Sequence, residues 1–252
     1  MPETGPAAPK PAPGRVLCFF PARNEEATVA DVVRRVPSQV CGLPVDVVVV
    51  DDGSTDGTAG RARAAGAEVV PTTMGAGLGA AVRTGLALGG TRGARVVAFA
   101  DADGEYAPEE LELLVRPILE HRADVVTGDR FAGARLAMRT HRAVGNRVLS
   151  AVLSLLAGRR IRDAQSGYRA LSARAAAVAE IVHDYNYAQV LTLDLLRKGF
   201  RLLEVPITYR ARRHGRSFVR LPTYLRRVAP AVWTELRRPC GASARPGPVT
   251  GR

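Results

Sequence analysis

Residues 95–106 read Arg-Val-Val-Ala-Phe-Ala-Asp-Ala-Asp-Gly-Glu-Tyr, an apolar run that ends in two carboxylates one residue apart. Residues i and i+2 of an extended chain point the same way, so Asp101 and Asp103 can converge on one cation if that geometry continues past the strand. Carboxylate oxygens suit Mg²⁺ or Mn²⁺, which commonly share such ligands with phosphate oxygens. The stretch therefore predicts a buried strand ending at half of a metal site, as in enzymes that handle a diphosphate. Taken alone, the motif leaves a solvated turn as the alternative.

Strands and helices alternate on both sides of this stretch. Apolar runs predict strands at 15–20, 46–50, 67–70, 95–100 and 124–127, and helical spacing predicts helices at 26–36, 55–65, within 75–90 and from 108 onward. Such alternation predicts an α/β fold with a mostly parallel central sheet flanked by helices. Ligands of such sheets bind beyond the carboxyl ends of the strands. Polar clusters at 21–25, 51–56, 101–105 and 128–130 should therefore share one edge.

Beyond Phe131 the pattern changes. Helices are predicted at 144–156, 171–182 and 188–198, and alternating apolar residues predict a strand within 201–209. An arginine-rich amphipathic helix is predicted over 221–236, interrupted at Pro230. Its apolar face has two interpretations that stay open, a membrane surface anchor or packing on the protein itself.

Composition narrows the function classes. The 252 residues are 46% hydrophobic, enough for one large α/β domain or two small ones. The cysteines lie far apart with no CxxC pair, and the histidines lack metal-ligand spacing, which argues against a disulfide scaffold or zinc site and favours a reducing compartment. No signal peptide and no stretch of roughly 18 apolar residues is recognised. We therefore expect a cytoplasmic protein, either free or peripheral on the inner face of the membrane.

The net charge is +12, and the arginines crowd between residues 210 and 227. Such a patch attracts phosphate in nucleic acid, anionic lipid or a phosphorylated substrate. No aromatic stacking platform accompanies the arginines, so a nucleic acid partner is not expected. A nucleotidyltransferase is also disfavoured, because residues 21–26 do not form a glycine-rich, lysine-bearing loop.

Five motifs then occur in order, Pro21-Ala-Arg-Asn-Glu-Glu26, Asp51-Asp-Gly-Ser-Thr-Asp56, Asp101-Ala-Asp103, Gly128-Asp-Arg-Phe131 and Gln165-Ser-Gly-Tyr-Arg169. In this order and spacing they resemble the family-2 glycosyltransferases. The most similar branch is that of the dolichyl- or polyprenyl-phosphate sugar transferases, which includes the dolichol-phosphate mannose synthase-like enzymes. The resemblance implies the A-type nucleotide-sugar-binding fold. It covers about residues 15–217, which are expected to form the catalytic domain. The residue pattern predicts a basic amphipathic helix over 218–238, and composition predicts disordered tails at 1–14 and 239–252.

The resemblance also implies roles on the donor side. The nucleotide pocket would include Pro21, Arg23, Asn24, Glu25, Asp52 and Gly79. Asp52 would accept a hydrogen bond from the base, and Gly79 would let the backbone approach the nucleotide, with a plain flexible loop as the alternative. Asn24 and Glu25 also suit a helix N-terminus, and the two roles are compatible.

Metal and phosphate binding follow from the same resemblance. Asp101, Asp103 and Glu105 would supply oxygens to Mg²⁺ or Mn²⁺, which neutralises the departing diphosphate. Further along the chain, Arg210, Arg213 and Ser217 would fold over the donor phosphates. The lysine that usually follows this serine is Phe218 here, a departure that weakens the last assignment.

The acceptor decides the remaining roles. A phosphate monoester is largely ionised at neutral pH and needs no general base, whereas an alcohol does. Arg130 matches a family position that binds the acceptor phosphate, and Arg147 would assist it. If the acceptor is a hydroxyl, Asp163 or Asp129 becomes the candidate base. Tyr168 and Arg169 are expected to pack and pair internally.

The resulting expectation is an inverting, metal-dependent transfer of a sugar from a UDP- or GDP-sugar to a polyprenyl phosphate such as dolichyl or undecaprenyl phosphate. Inversion is implied by the family. The alternative is the same donor chemistry with a soluble hydroxyl acceptor, a glycan or a secondary metabolite.

Overall fold

The computed structural model describes residues 14–73, 75–133, 140–182, 184, 187–210, 230 and 232, with the backbone alone described at 140–144. Apart from Gly14, Pro230 and Val232, the predicted tails and the predicted helix over 218–238 lie outside these residues. The candidate residues Arg213 and Ser217 lie outside them as well. The strands are β1 Arg15–Ala22, β2 Gln39–Val40, β3 Leu43–Asp51, β4 Glu68–Pro71, β5 Ala94–Phe99, β6 Val125–Asp129, β7 Arg169–Ser172 and β8 Leu202–Pro206. The helices are α1 Val29–Arg34, α2 Thr58–Ala64, α3 Leu78–Thr91, α4 Leu111–Leu119, α5 Thr140–Ala157, α6 Ala173–Val178 and α7 Ala188–Arg197.

The eight strands form one sheet in the order β2-β3-β1-β5-β7-β6-β8, with β4 paired to β3. Strand β1 is parallel to β3 and β5, β3 to β4, and β6 to β8. This confirms the predicted α/β fold with a mostly parallel sheet flanked by helices.

Strand β7 departs from the sequence prediction. Residues 171–182 were expected to be helical, but β7 occupies 169–172 and runs antiparallel to both β5 and β6. Only 173–178 is helical, and the hydroxyl of Ser172 accepts the backbone N–H of Ala175 at 3.2 Å. Filling the gap between two strands satisfies both backbone edges of β7, and this tertiary pairing outweighs the local helical pattern.

Strand β1 shows how the core is divided. Cys18 and Phe20 pack on the side of α1 and α4, whereas Leu17 and Phe19 pack on the side of α3 and α7. Both faces are therefore covered, as a central parallel strand requires. Helix α3 lies unusually close, because a Cβ on Gly85 would sit 2.3 Å from the Phe19 ring. In the part of the chain that the structure describes, no helix is both long and apolar enough to cross a bilayer.

Candidate active site

The carboxyl ends of the parallel strands meet at one edge of the sheet. Ala22 at the end of β1 is paired with Asp51 at the end of β3, and Phe19 in β1 is paired with Phe99, the last residue of β5. Strand β6 points the same way, because β7 is antiparallel to both β5 and β6. The four polar clusters predicted to share an edge do share it.

The first two loops at this edge are joined through Asn24. Its backbone N–H donates to the Ser54 hydroxyl at 3.0 Å, and its side-chain oxygen accepts the N–H of Thr55 at 2.8 Å. Asn24 has φ of +56°, a left-handed conformation that asparagine tolerates better than most residues. Helix α1 begins only at Val29, so the expectation that Asn24 caps it is wrong. Asn24 instead joins the loop that contains Pro21, Arg23 and Glu25 to the loop after β3.

Asp52 is fixed by the glycine-rich loop. The backbone N–H of Gly77 donates to both carboxylate oxygens, at 2.9 and 3.0 Å, and an Arg23 nitrogen lies 3.6 Å away. Gly77 has φ of +98°, and a Cβ there would come within 2.9 Å of the Asp184 carbonyl oxygen. The N–H of Gly79, in the first turn of α3, donates to that carbonyl at 3.0 Å. The loop is therefore ordered by specific contacts around the carboxylate of Asp52.

Asp101 lies against a glycine. A Cβ on Gly167 would be 2.5 Å from Asp101 Oδ2 and 3.2 Å from the Tyr106 hydroxyl. The N–H of Gly167 donates to the Tyr106 oxygen at 2.7 Å, and its carbonyl accepts the Tyr187 hydroxyl at 3.4 Å. Burial raises the pKa of both tyrosines, and the charge of Asp101 adds to the effect, so both hydroxyls stay protonated. The sequence motifs did not single out these tyrosines.

Arg169 holds the turn that carries Gly167. Its Nε donates to the Ser166 carbonyl and one Nη donates to the Thr192 hydroxyl, both at 2.9 Å. The guanidinium lies over the Tyr187 ring, 5.7 Å from its centre. Burial lowers the pKa of Arg169. The expectation that Arg169 packs internally is confirmed, because its side chain is buried and bonded to groups inside the protein.

Asp103 and Glu105 occupy the buried end of the same loop. Asp103 Oδ1 accepts the N–H of Glu105 at 3.0 Å, and Glu105 Oε2 accepts the Tyr209 hydroxyl at 2.7 Å. The N–H of Arg210 donates to the Glu105 carbonyl at 2.8 Å, so the chain after β8 is joined to the acidic loop. Burial raises the pKa of Tyr209, and Glu105 raises it further. Glu105 therefore links the acidic loop to Tyr209 and Arg210, where the arginine-rich segment begins.

Asp101 and Asp103 are the two carboxylates of the acidic loop that the sequence predicts as metal ligands. The described residues contain no group of three His, Cys, Asp or Glu side chains placed to hold an ion, so Glu105 does not complete a three-carboxylate cluster with Asp101 and Asp103. A pair of carboxylates fits Mg²⁺ or Mn²⁺ when phosphate oxygens and water supply the remaining ligands. The donor set therefore suits a metal that binds together with a diphosphate.

Arg130 and Asp163 form a buried ion pair, although they are 33 residues apart. Nε and Nη2 of Arg130 donate to the two carboxylate oxygens at 2.7 and 2.8 Å, and its backbone N–H donates at 3.1 Å. Burial opposes the charge on Arg130, yet Tyr106 and Asp163 hold its pKa well above the usual value. Asp163 also accepts the N–H of Gln165 at 3.2 Å. Both of its oxygens are thus engaged, which disfavours the role of general base.

Two further arginines lie nearer the surface. The Arg147 guanidinium sits 5.6 Å from the centre of the Phe131 ring, and Arg210 approaches Glu109 at 3.4 Å. Asp129, the other candidate base, accepts the N–H of Phe131 at 2.8 Å through Oδ1. Its Oδ2 is buried and has no hydrogen-bond partner among the described residues.

Comparison with known proteins places this edge in context. Residues 18–176 match the family model described as Glycosyl transferase family 2. The chain is 34% identical over 207 residues to glycosyltransferase AglJ of Haloferax volcanii, covering 81% of this chain and 66% of AglJ. It is 33% identical over 215 residues to the polyprenol monophosphomannose synthase of Mycolicibacterium smegmatis, covering 81% of this chain and 80% of that protein.

Two more similarities extend the comparison. The undecaprenyl-phosphate mannosyltransferase of Micrococcus luteus is 32% identical over 214 residues, covering 81% of this chain and 86% of that protein. Glucosyl-3-phosphoglycerate synthase of Mycobacterium tuberculosis, solved with Mn²⁺, UDP and glucosyl-3-phosphoglycerate, superposes with a TM-score of 0.70 at 26% identity, covering 90% of this chain and 82% of that one. The protein is therefore a glycosyltransferase and belongs to glycosyl transferase family 2.

Proposed function

We propose that this enzyme transfers a sugar from a nucleoside diphosphate sugar to the phosphate of a polyprenyl phosphate, with inversion at the anomeric carbon. The observation that carries the proposal is one sheet edge that holds Asp52, the pair Asp101 and Asp103, and the buried Arg130–Asp163 pair. Relatives named polyprenol monophosphomannose synthase and undecaprenyl-phosphate mannosyltransferase support the choice of acceptor. A lipid-linked acceptor also implies work at the cytoplasmic face of a membrane.

On the donor side, Asp52 and the loops around it form the nucleotide pocket, and Asp101 and Asp103 would hold Mg²⁺ or Mn²⁺. When bound, the metal neutralises negative charge on the departing diphosphate. The Glu105 N–H holds Asp103 by a hydrogen bond, and the backbone of Gly167 lies close against Asp101. Carboxylates held in advance need little rearrangement when donor and metal arrive, which is the benefit of preorganisation. The neighbour solved with Mn²⁺ and UDP supports this donor chemistry.

On the acceptor side, a phosphate oxygen attacks the anomeric carbon from the face opposite the leaving group. The new carbon–oxygen bond forms as the bond to the diphosphate breaks, and the nucleoside diphosphate departs. The ionised acceptor brings its own nucleophilic oxygen, so no proton has to be removed. This agrees with an Asp163 carboxylate that is already committed to Arg130. Arg130 and Arg147 would position the acceptor phosphate, and Arg210, with Arg213 and Ser217, would close over the donor phosphates.

A soluble acceptor is the second candidate. The neighbour named glucosyl-3-phosphoglycerate synthase was solved with a small phosphorylated product, which supports this reading. A hydroxyl acceptor would need a base within hydrogen-bond reach. Asp129 Oδ2 has no hydrogen-bond partner among the described residues, but it is buried. We therefore favour the phosphate acceptor.

The test supplies radiolabelled UDP- and GDP-sugars with Mn²⁺, with and without added polyprenyl phosphate. We expect label in the organic phase only when the polyprenyl phosphate is present. Asp103→Ala should abolish this transfer and weaken Mn²⁺ binding measured by calorimetry. Asp31→Ala, which removes an exposed carboxylate of α1, is the matched control and should change neither.

Label that stays in the aqueous phase and depends on a small phosphorylated hydroxyl compound would support the soluble acceptor instead. Unchanged Mn²⁺ affinity and turnover in the Asp103→Ala variant would contradict the metal assignment.

A further inference from the structure

Helix α5 carries a concentrated exposed apolar surface. Of the seven large hydrophobic side chains exposed among the described residues, four lie on this helix, and we call them the α5 stripe: Val148 (58% exposed), Val152 (50%), Leu155 (83%) and Leu156 (38%). Their spacing of four, three and one residues places them on one face of a helix. The stripe is therefore a continuous apolar surface that faces outward, unlike a scatter of single exposed residues.

The inner face of α5 is tied to the protein by hydrogen bonds of its serines. The Ser154 hydroxyl donates to the Ser150 carbonyl at 2.6 Å and accepts the Ile161 N–H at 2.8 Å. The Ser150 hydroxyl accepts the N–H of Ala164 at 3.0 Å, and Leu153 is buried between these two serines in sequence. These bonds fix the rotation of the helix. The exposed face thus carries valines and leucines of the kind that a surface helix in water usually buries.

The charged residues of α5 and of the turn that follows it are all basic. Residues 140–162 contain five arginines and no aspartate or glutamate. Arg147 is exposed beside the first residue of the stripe, and Arg159 and Arg160 are exposed just beyond its last residue. An apolar face with a positive rim matches an anionic lipid surface. The same rim disfavours a second copy of this chain, because two such faces would bring like charges together.

We propose that the α5 stripe is the surface by which this enzyme lies on an anionic bilayer. The inference rests on the proposed function, since a polyprenyl phosphate acceptor resides in a membrane. The chain leaves α5 through residues 158–162 and reaches Asp163, which holds Arg130. The apolar surface is thus joined by a short, hydrogen-bonded turn to the pair that would receive the acceptor phosphate. A lipid whose tail stays in the bilayer could present its headgroup at that pair.

The test measures binding of the full-length protein to vesicles of phosphatidylcholine with or without phosphatidylglycerol. We expect binding to require phosphatidylglycerol. The double variant Val152→Gln/Leu155→Gln keeps the charge and the helix propensity but removes the centre of the stripe, and should bind roughly tenfold or more weakly, the effect of withdrawing one aliphatic side chain from an apolar medium. The matched control is Leu113→Gln on α4, which removes another half-exposed leucine and should bind like wild type.

A short-chain, water-soluble isoprenyl phosphate separates this inference from the proposed function. We expect the double variant to transfer sugar to that acceptor at the wild-type rate. Vesicle binding that is lost in the variant, with no transfer to any polyprenyl phosphate by either protein, would support the surface and refute the proposed acceptor. Equal vesicle binding by the variant and wild type would overturn the inference. A wild-type dimer that dissociates on the double substitution, measured by light scattering, would overturn it in favour of an interface between copies.

Discussion

Gly167→Ala tests whether the position of Asp101 depends on a missing side chain. A Cβ at residue 167 would lie 2.5 Å from Asp101 Oδ2, whereas ordinary contacts begin at 3.4 Å. The carboxylate oxygen must therefore retreat by 3.4 − 2.5 = 0.9 Å along that direction. Gly167 does not have a positive φ, so alanine brings no backbone strain. The whole effect of the substitution is the collision with the carboxylate and, at 3.2 Å, with the Tyr106 hydroxyl.

The retreat has two measurable consequences. Overpacking of a closely packed site typically costs about 1–3 kcal/mol of unfolding free energy. A displacement of about 1 Å at a reacting centre can cost on the order of 100-fold in rate. We expect the Gly167→Ala variant to remain folded, to bind Mn²⁺ and the nucleoside diphosphate more weakly, and to lose about two orders of magnitude in turnover.

Calorimetric titration with Mn²⁺ in the presence of UDP or GDP is the primary assay, with urea unfolding alongside. Gly60→Ala is the matched control, because residue 60 has a non-positive φ and no atom within 4 Å of the added Cβ. A double variant with Asp101→Ala provides the internal test. Once the carboxylate is gone, most of the destabilisation from Gly167→Ala should disappear, which a double-mutant cycle measures directly. Wild-type Mn²⁺ affinity in Gly167→Ala, or a loss of stability that is unchanged in the double variant, would refute the steric argument.

Two further predictions concern stability. Asp163→Ala leaves the buried Arg130 guanidinium without its partner and should lower the free energy of unfolding in urea by about 3–5 kcal/mol. Asp124→Ala breaks the more exposed pair with Arg201 and should lower it by about 1 kcal/mol or less. Equal losses of stability in the two variants would contradict this prediction. Burial raises the pKa of Cys18 from 9.0 to about 12, so the unfolded chain loses this proton first, and stability should fall as pH rises from 9 toward 12. The contribution of this thiol to the slope of unfolding free energy against pH is at most about 1.4 kcal/mol per pH unit, and it should be absent in Cys18→Ala. An identical slope in that variant would exclude Cys18 as the cause.

The arrangement of polar loops was available from local patterns. The runs ending at Phe20, Val50 and Ala100 are apolar on both faces. In a chain of alternating strands and helices, such a run indicates a strand that is covered on both sides. Once the strands are parallel, their carboxyl ends must lie at one edge, so Asp52 and Asp101 had to lie at the same edge of the sheet. The ordered motifs then identified the family without any knowledge of contacts.

Pairings between distant residues were not available in this way. Arg130 and Asp163 are 33 residues apart, and nothing in either motif indicates that each neutralises the other. Glu105 reads as a metal ligand beside Asp103, but the Tyr209 hydroxyl, 104 residues later, binds its carboxylate. Strand β7 was not predicted for the same reason, because its partners β5 and β6 come from other parts of the chain.

What the sequence alone determined is thus the class of fold, the edge that carries the chemistry and the family. The periodicity of apolar residues is a local property, and local propensities and strand direction follow from it. Only the tertiary structure decided which charge meets which, how closely Gly167 approaches Asp101, and which face of α5 remains uncovered. Those outcomes depend on packing between segments far apart in the chain, where the neutralisation of a buried charge or the absence of one Cβ outweighs any local preference.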